Sequence, residues 1–325
     1  MIRHNTKVAI ARTGLQVTKL GLGTAPLGGL FTSVLETDSD ELIQSAFDNE
    51  LNFFDTAPLY GYGTAEIRLG RILKTIGKPF VLETKVGRVL NPADQADKAW
   101  FADANPNLEP VFDFSSDGVK RSIEESLKRL GVDHIDIALM HDADDHLEQA
   151  IREAYPVLDD YRRQGIIKGV GMGLNLCAPS IAIMKECDLN VALIAGRFTL
   201  LDQEAQDELF PLALKKNISI LAAGVYNSGV LANPNPGATY NYLPASDEVI
   251  GRARSIGEFL KARNVSLTAA ALQFPMRHPA VTVVLTGSRS KDELESNIAD
   301  FNQDLPQDIW EELEASKLIQ PLKIN

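Results

Sequence analysis

Eight short apolar runs, each followed by a longer stretch of mixed polarity, recur along the whole chain, and this alternation restricts the fold more than any other feature. The runs are Thr18–Gly23, Asn52–Thr56, Phe80–Val86, His134–Met140, Ile167–Gly173, Val191–Ala195, Ser219–Gly224 and Thr282–Thr286. Most are apolar at successive positions rather than at alternate ones, the pattern of strands covered on both faces. Helices are predicted over Asp38–Asn49, Ser116–Leu130, Leu147–Arg163, Asp202–Lys216, Asp247–Arg263 and Asp292–Phe301. In the second of these, Ser115, Ser116 and Asp117 offer caps, Val119, Ile123, Leu127 and Leu130 share one face, and Gly131 ends the run. Pro156 is expected to kink the third, because it has no N–H to continue the ladder.

Strand–helix repeats make a parallel sheet covered by helices, either open and doubly wound or closed into a barrel. The open form requires a Gly-x-Gly-x-x-Gly turn after its first strand. Here that segment reads Gly21-Leu22-Gly23-Thr24-Ala25-Pro26, without the third glycine and with a proline where the helix should start. The expected architecture is therefore α/β, a (β/α)8 TIM barrel, and the 325 residues suit one such domain spanning 1–325.

Charge narrows the class of partner. With 32 Lys and Arg against 44 Asp and Glu, the net charge of −12 disfavours nucleic acid and anionic lipid. No stretch of about eighteen apolar residues suggests a membrane span. The N-terminal apolar stretch is too short for a signal peptide. Cys177 and Cys187 cannot build a disulfide framework, so they read as buried small hydrophobes in a cytoplasmic protein. Nothing in the sequence speaks to oligomeric state.

Barrel enzymes carry their chemistry at the C-terminal ends of the strands. Reading those ends in order gives Asp55, with Tyr60 just beyond it, then Lys85, then His141. Each alone has a plain structural explanation; together they make a proton-transfer set. An ammonium at Lys85 favours the phenolate of Tyr60, whose ordinary pKa near 10 is too high for shuttling at neutral pH. Asp55 supplies the counter-charge for a buried Lys85, and a neutral His141 can orient a substrate oxygen. Such a set moves a proton at a carbonyl or hydroxyl oxygen; the accompanying hydride requires a nicotinamide, since no side chain transfers hydride. The two long loops, Gly87–Phe114 and Val225–Ser246, should rise over this face, bringing Trp100, Phe101, Phe112, Tyr226, Tyr240 and Tyr242. Trp100, Phe101 and Tyr226 are the candidate substrate contacts.

Three segments carry a family resemblance. Asn52-Phe53-Phe54-Asp55-Thr56-Ala57-Pro58-Leu59-Tyr60-Gly61, with Gly63-Thr64-Ala65-Glu66 and Leu69-Gly70 after it, resembles the aldo-keto reductase signature. Glu83-Thr84-Lys85-Val86-Gly87 resembles its lysine segment, and Asp136-Ile137-Ala138-Leu139-Met140-His141-Asp142 its histidine segment. The resemblance implies Tyr60 as general acid/base, Lys85 and Asp55 as its tuning pair, and His141 as the substrate-positioning group. It also implies NAD or NADP across the barrel mouth, held by Gly23, Thr24, Asn175, Gly224, Ser228, Leu231, Gly287, Ser288, Arg289, Glu293 and Asn297.

Segments 195–203, 227–231 and 236–242 resemble more narrowly the branch that oxidises D-threo-aldoses such as L-fucose at the lactol carbon, with pyridoxal-oxidising members similar in the same region. A general aldehyde or ketone reductase is the broader alternative. The family's nicotinamide-binding channel β subunits are the non-enzymatic one. Two positions depart from the family: Ala195 stands for a glutamine and Ala223 for the tyrosine that stacks on the nicotinamide, which leaves Phe198 or Tyr226 to fill that space. Gly287 and Glu293 replace the lysine and arginine of NADP-preferring members. A carboxylate repels a 2′-phosphate but accepts from a ribose hydroxyl, so NAD is the expected cofactor. A metal-dependent hydrolase, suggested by the ligand-dense run from His141 to His146, lacks the further strand-end histidines it needs.

Overall fold

The eight apolar runs pair with one another in chain order and the last returns to the first. In the computed structural model, which describes residues 3–98, 100–306 and 308–324, they form a closed parallel barrel. Its strands are β1 (Leu20–Gly23), β2 (Phe53–Asp55), β3 (Val81–Val86), β4 (Ile137–His141), β5 (Gly169–Leu174), β6 (Val191–Ala195), β7 (Ser219–Ala223) and β8 (Val281–Gly287). Side chains alternate between two cores, as the pleat requires. Phe53, Val81, Ile137, Leu139, Val191, Leu193, Leu221, Val283 and Leu285 fill the barrel. Leu20, Leu22, Phe54, Leu82, Ala138 and Met140 face outward into a larger core shared with the helices.

The helices are α1 (Glu36–Asp48), α2 (Thr64–Leu73), α3 (Ser116–Leu130), α4 (Tyr155–Arg163), α5 (Cys177–Glu186), α6 (Leu209–Lys216), α7 (Asp247–Lys261), α8 (Leu267–Gln273), α9 (Lys291–Asn302) and α10 (Ile309–Ala315). Helix α3 has the limits its pattern predicts: Ser115 Oγ accepts from Gly118 N–H at 3.0 Å, and Gly131 closes it at φ 61°. Helical backbone runs unbroken from Leu147 to Arg163, as expected, and Pro156 is accommodated within it by wide π-type turns over Ala150–Ala154. Among the described residues no helix is long and apolar enough to cross a membrane.

Two features shape the ends of the barrel. At the base, the expected first strand divides: Thr18 belongs to a hairpin of Lys7–Ala9 with Gln16–Thr18, and β1 starts at Leu20. This hairpin adds Ile10 and Val17 to the inner core and stoppers the barrel. It is laced down by Ala11 N–H to Ser219 Oγ at 2.9 Å and Thr18 N–H to Asn52 Oδ1 at 2.8 Å. At the mouth, the long loop after β3 is itself a hairpin, Arg88–Pro92 with Leu108–Phe112. Buried Arg68 of α2 ties this loop to the one after β1. It donates to Leu27 O at 2.6 Å, Val34 O at 2.9 Å, Asp103 Oδ2 at 2.8 Å and Glu36 Oε1 at 2.7 Å.

Candidate active site

Asp55 and His141 are the last residues of β2 and β4, and Lys85 lies one residue from the end of β3. All three point inward, so the barrel brings them to one point of its mouth. Inward space for the long lysine comes from β5, which carries glycine at 169, 171 and 173. A Cβ at Gly173 would already touch Lys85 Cε at 3.5 Å. Tyr60 arrives from a tight turn after β2, in which its N–H bonds Ala57 O at 3.1 Å. Gly61 follows at φ 62°, and a Cβ there would meet Gly28 Cα at 2.7 Å. Only glycine allows the two backbones to approach so closely, and that approach sets the tyrosine over the lysine.

Lys85, 1 % exposed, donates to Asp55 Oδ1 and to Thr56 O, the latter at 2.9 Å. Its Nζ lies 4.8 Å from the centre of the Tyr60 ring. His141 stands edge-on to that ring, 5.9 Å away at 88°. Its Nδ1 is buried without a partner, and its Nε2 is 3.7 Å from Asp142 Oδ2. The four residues selected from strand ends thus form one group.

Their electrostatics differ in one respect from expectation. Burial opposes the Lys85 charge, but Asp55, with Tyr60 and Glu83, more than offsets it, so the group stays an ammonium. Burial also dominates at Tyr60 and raises its pKa; Lys85 works against that rise while Asp55 adds to it. The ammonium moderates the phenol without making it acidic, because burial outweighs it and Asp55 offsets part of its field. Burial pushes the His141 imidazole down to about 3, opposed by Asp142 and reinforced by Lys85 and Arg88, so it is neutral at ordinary pH.

The mouth opens into a cleft of about 920 Å³. Trp100 and Tyr242, from the two long loops, stack across one end with ring centres 5.5 Å apart. Phe101 is buried against Tyr60 at 6.1 Å, and Arg88 lies over Phe112 while pairing with Asp142 at 3.0 Å. Gly23, Asn175, Gly224, Ser228, Gly287, Ser288, Arg289, Glu293 and Asn297 line the same cleft, with Ser228 Oγ accepting from Tyr242 N–H at 3.0 Å and Asn175 Nδ2 donating to Asp142 Oδ1 at 3.4 Å. Thr24 and Leu231 do not. Thr24 is wholly buried and gives its N–H to Asp55 O at 2.9 Å; Leu231 is a core residue whose N–H goes to Tyr226 O at 3.1 Å.

Tyr226 lies away from Trp100 and Phe101, with its hydroxyl donating to Asn297 Oδ1 at 2.8 Å. Its polar tip is held by the segment after β8, which is why it does not reach the substrate end. Phe198 cannot fill the nicotinamide space: it packs outside the barrel between Phe210 and Phe274, at 4.8 and 4.9 Å. Ala195 and Ala223, partners in the β6–β7 register, leave the cleft floor open instead.

An extended dinucleotide suits this cleft. Gly173, Ala195 and Ala223 leave room beside Lys85 and Tyr60 for a flat ring. The Ser288–Asn297 pair, 3.1 Å apart, and the first turn of α9 offer donors to the far end. Glu293 there is clasped by Arg289, whose Nε and backbone N–H donate to it at 2.9 and 2.8 Å.

Arg88 was not assigned from sequence, and Tyr242 only as one of the loop aromatics expected over this face, because a loop's path over a barrel is not encoded in short-range pattern. Glu83 was also passed over. Its signal was present, since it lies two residues before Lys85 in one strand and must share the inward face. His146, from the ligand-dense run, packs against Phe112 at 4.4 Å, and among the described residues no group of three or more His, Cys, Asp or Glu is placed to hold a metal. Cys177 and Cys187 are free and buried, and burial raises both thiols to about 12.

Comparison with known proteins agrees with this geometry. A model of the Aldo/keto reductase family matches residues 19–317. The chain is 38 % identical to a pyridoxal 4-dehydrogenase of Microbacterium luteolum over 98 % of its length and 99 % of the relative. It is 35 % identical to a D-threo-aldose 1-dehydrogenase of a Pseudomonas species, over 97 % and 98 %. A holo-form aldo-keto reductase of Bacillus halodurans shares the fold at a TM-score of 0.78 and 23 % identity, covering 98 % of this chain and 97 % of that one.

Proposed function

The chain belongs to the aldo/keto reductase family, and within it we propose an NAD-dependent dehydrogenase that oxidises the ring carbon bearing hydroxyl and hydrogen of a cyclic hemiacetal, in the first instance an aldose such as L-fucose, to the lactone. One observation carries the reading: a sequestered Lys85–Asp55 pair lies beneath Tyr60, with a neutral His141 at the edge of the same phenol ring. The two curated relatives act, by their names, on pyridoxal and on D-threo-aldoses. Both substrates close into rings that present the same H–C–OH group.

His141, being neutral, donates to the substrate oxygen or accepts from it and fixes the carbon's orientation. Tyr60 takes the hydroxyl proton as a phenolate, the form that the neighbouring Lys85 ammonium favours, and is left as the neutral phenol. Bound in its oxidised form, the nicotinamide supplies the hydride acceptor and a positive ring charge. Asp55 keeps Lys85 charged where burial alone would discharge it. Asp142, Asp144, Asp145 and Arg88 line the cleft near His141 and suit the remaining hydroxyls of a sugar. Trp100 and Phe101 cover its apolar face.

The test is a panel of L-fucose, D-arabinose, L-galactose and pyridoxal with NAD, read as NADH absorbance. Tyr60→Phe is expected to lower kcat on the order of 10³-fold with NAD affinity nearly intact; retained turnover removes Tyr60 from the mechanism. Oxidation of pyridoxal alone would move the reading to the other branch.

Cofactor choice follows from the Arg289–Glu293 clasp. With its guanidinium already engaged, Arg289 is a weak phosphate ligand, and Glu293 is an acceptor for a ribose hydroxyl. NAD is expected to exceed NADP in kcat/KM by tenfold or more (about 1.4 kcal/mol), and Glu293→Ala to narrow that ratio. A tenfold preference for NADP overturns the assignment.

A further inference from the structure

Beneath the lysine lies a carboxyl group that the mechanism so far does not use. Glu83 is wholly buried in β3, on the same inward face as Val81 and Lys85. Its Cα is the register partner of Asp55 on one side and of Ile137 on the other. Around it the barrel interior is apolar, filled by Phe53, Val81, Ile137, Leu139 and Leu285. Both of its carboxyl oxygens are buried without a donor. The charged or titratable groups that act on it are Asp55 from β2 and Lys85 from its own strand, and Asp55 is within hydrogen-bonding reach. Lys85 gives its own hydrogen bonds to Asp55 and Thr56, and none to Glu83.

An anion here would have two unsatisfied oxygens in an apolar layer, beside a second carboxylate. That arrangement is the least favourable one open to it. A neutral acid changes the count, since its O–H becomes a donor and the Asp55 carboxylate is the acceptor in reach. We propose that Glu83 is a positioning residue that stays protonated and donates its carboxyl O–H to Asp55, so that Asp55 is the single anion beneath Lys85 and is shared between two donors.

This rests on the assignment of Tyr60 as the acid/base. Sharing has a direction. An Asp55 that accepts from Glu83 holds Lys85 less fully, leaving more of the ammonium's field for Tyr60 as its phenolate forms. The tilt of charge from Asp55 toward Tyr60 is set from below by a proton that is never transferred to substrate. Burial together with Asp55 raises the Glu83 pKa well above the ordinary carboxyl range, against a smaller opposing pull from Lys85.

Two measurements test this, with near-isosteric variants that leave the core filled. Infrared difference spectra of the protein without substrate, native minus Glu83→Gln, should show a protonated-carboxylic C=O band lost in the variant at neutral pH. Absence of that band overturns the proposal without touching the function of Tyr60. The second is the acidic, ascending limb of kcat/KM for L-fucose and for pyridoxal with NAD, which reports ionisation of Tyr60 because the oxidation needs its phenolate. Glu83→Met, which removes the donor, should move the limb up by about one pH unit, whereas Glu83→Gln, whose amide still donates to Asp55, should bring it back to the native position. An unmoved limb in Glu83→Met overturns the proposal. So does a limb shifted downward in Glu83→Gln, which would mean that the native side chain is an anion. Loss of the Tyr60→Phe effect, with the infrared band intact, would instead sink the acid/base assignment.

Discussion

His141 shows how one buried side chain links chemistry to stability. Burial depresses its pKa from 6.5 to about 3, so the folded chain keeps it neutral while the unfolded chain protonates it below 6.5. The unfolded state then binds more protons, and stability falls as pH drops through that window. The slope is one proton's worth, about 1.4 kcal/mol per pH unit, or about 2 kcal/mol by pH 5. His141→Asn, which cannot protonate, is expected to flatten the decline of unfolding free energy between pH 6.5 and 5 in urea titrations. An undiminished slope would place the acid sensitivity elsewhere. In the native chain the His141 ring protons should show no titration from pH 5 to 8 by NMR. At this scale the sequence was informative about identity and less so about state. Asp55, Tyr60, Lys85 and His141 could be read from strand ends, but the sign at Tyr60 depends on burial and on how far Asp55 has neutralised Lys85. Neither is visible without coordinates.

Elements were legible where their pattern comes from the barrel itself. Strands covered on both faces must be apolar throughout, and helix α3 announces its cap, stripe and terminal glycine. Short elements were not: the base hairpin, α5, α8 and α10 are held by neighbours distant in sequence, and Leu267–Gln273, for instance, has no polar face of its own. The loops over the mouth are fixed by one residue no pattern selects. Arg68 binds two backbone carbonyls, Asp103 and Glu36, at a side-chain exposure of 7 %. Replacing it with Met takes the cation from Asp103, which keeps only Ser33 Oγ and the Val34 N–H as donors, and is expected to cost about 3 kcal/mol of unfolding free energy together with a raised KM, as the substrate loop loses its tie to α2. An unchanged KM would show that the loop is held by its hairpin alone. Against the opposing effect of burial, Asp103 is held below its ordinary value by Ser33, the Val34 N–H and Arg68, and Glu36 by Arg71 and Arg68. That share of stability is complete above about pH 4 and is lost as pH falls through the depressed values.

For the whole molecule, stability and chemistry lie at opposite ends of one barrel, and they should be separable. Ile10, 1 % exposed, joins the inner core from the base hairpin while Asp55, Lys85 and His141 face the mouth. Ile10→Ala is expected to lower unfolding free energy by about 3 kcal/mol with kcat and KM unchanged at a temperature where the variant remains folded. A parallel loss of kcat would mean that the base hairpin influences the geometry at the mouth.

The stoppered base has a further consequence for where protons can travel. Below Glu83 the interior is hydrocarbon down to Val17 and Ile10, so the group around Tyr60 sits in a vessel with a single neck. Were the proposed substrate and dinucleotide to fill that neck, bulk water would have no other route to the phenol. Hydrogen taken from a substrate hydroxyl would then stay inside until a product departs, and its release to solvent would keep time with egress rather than with bond breaking.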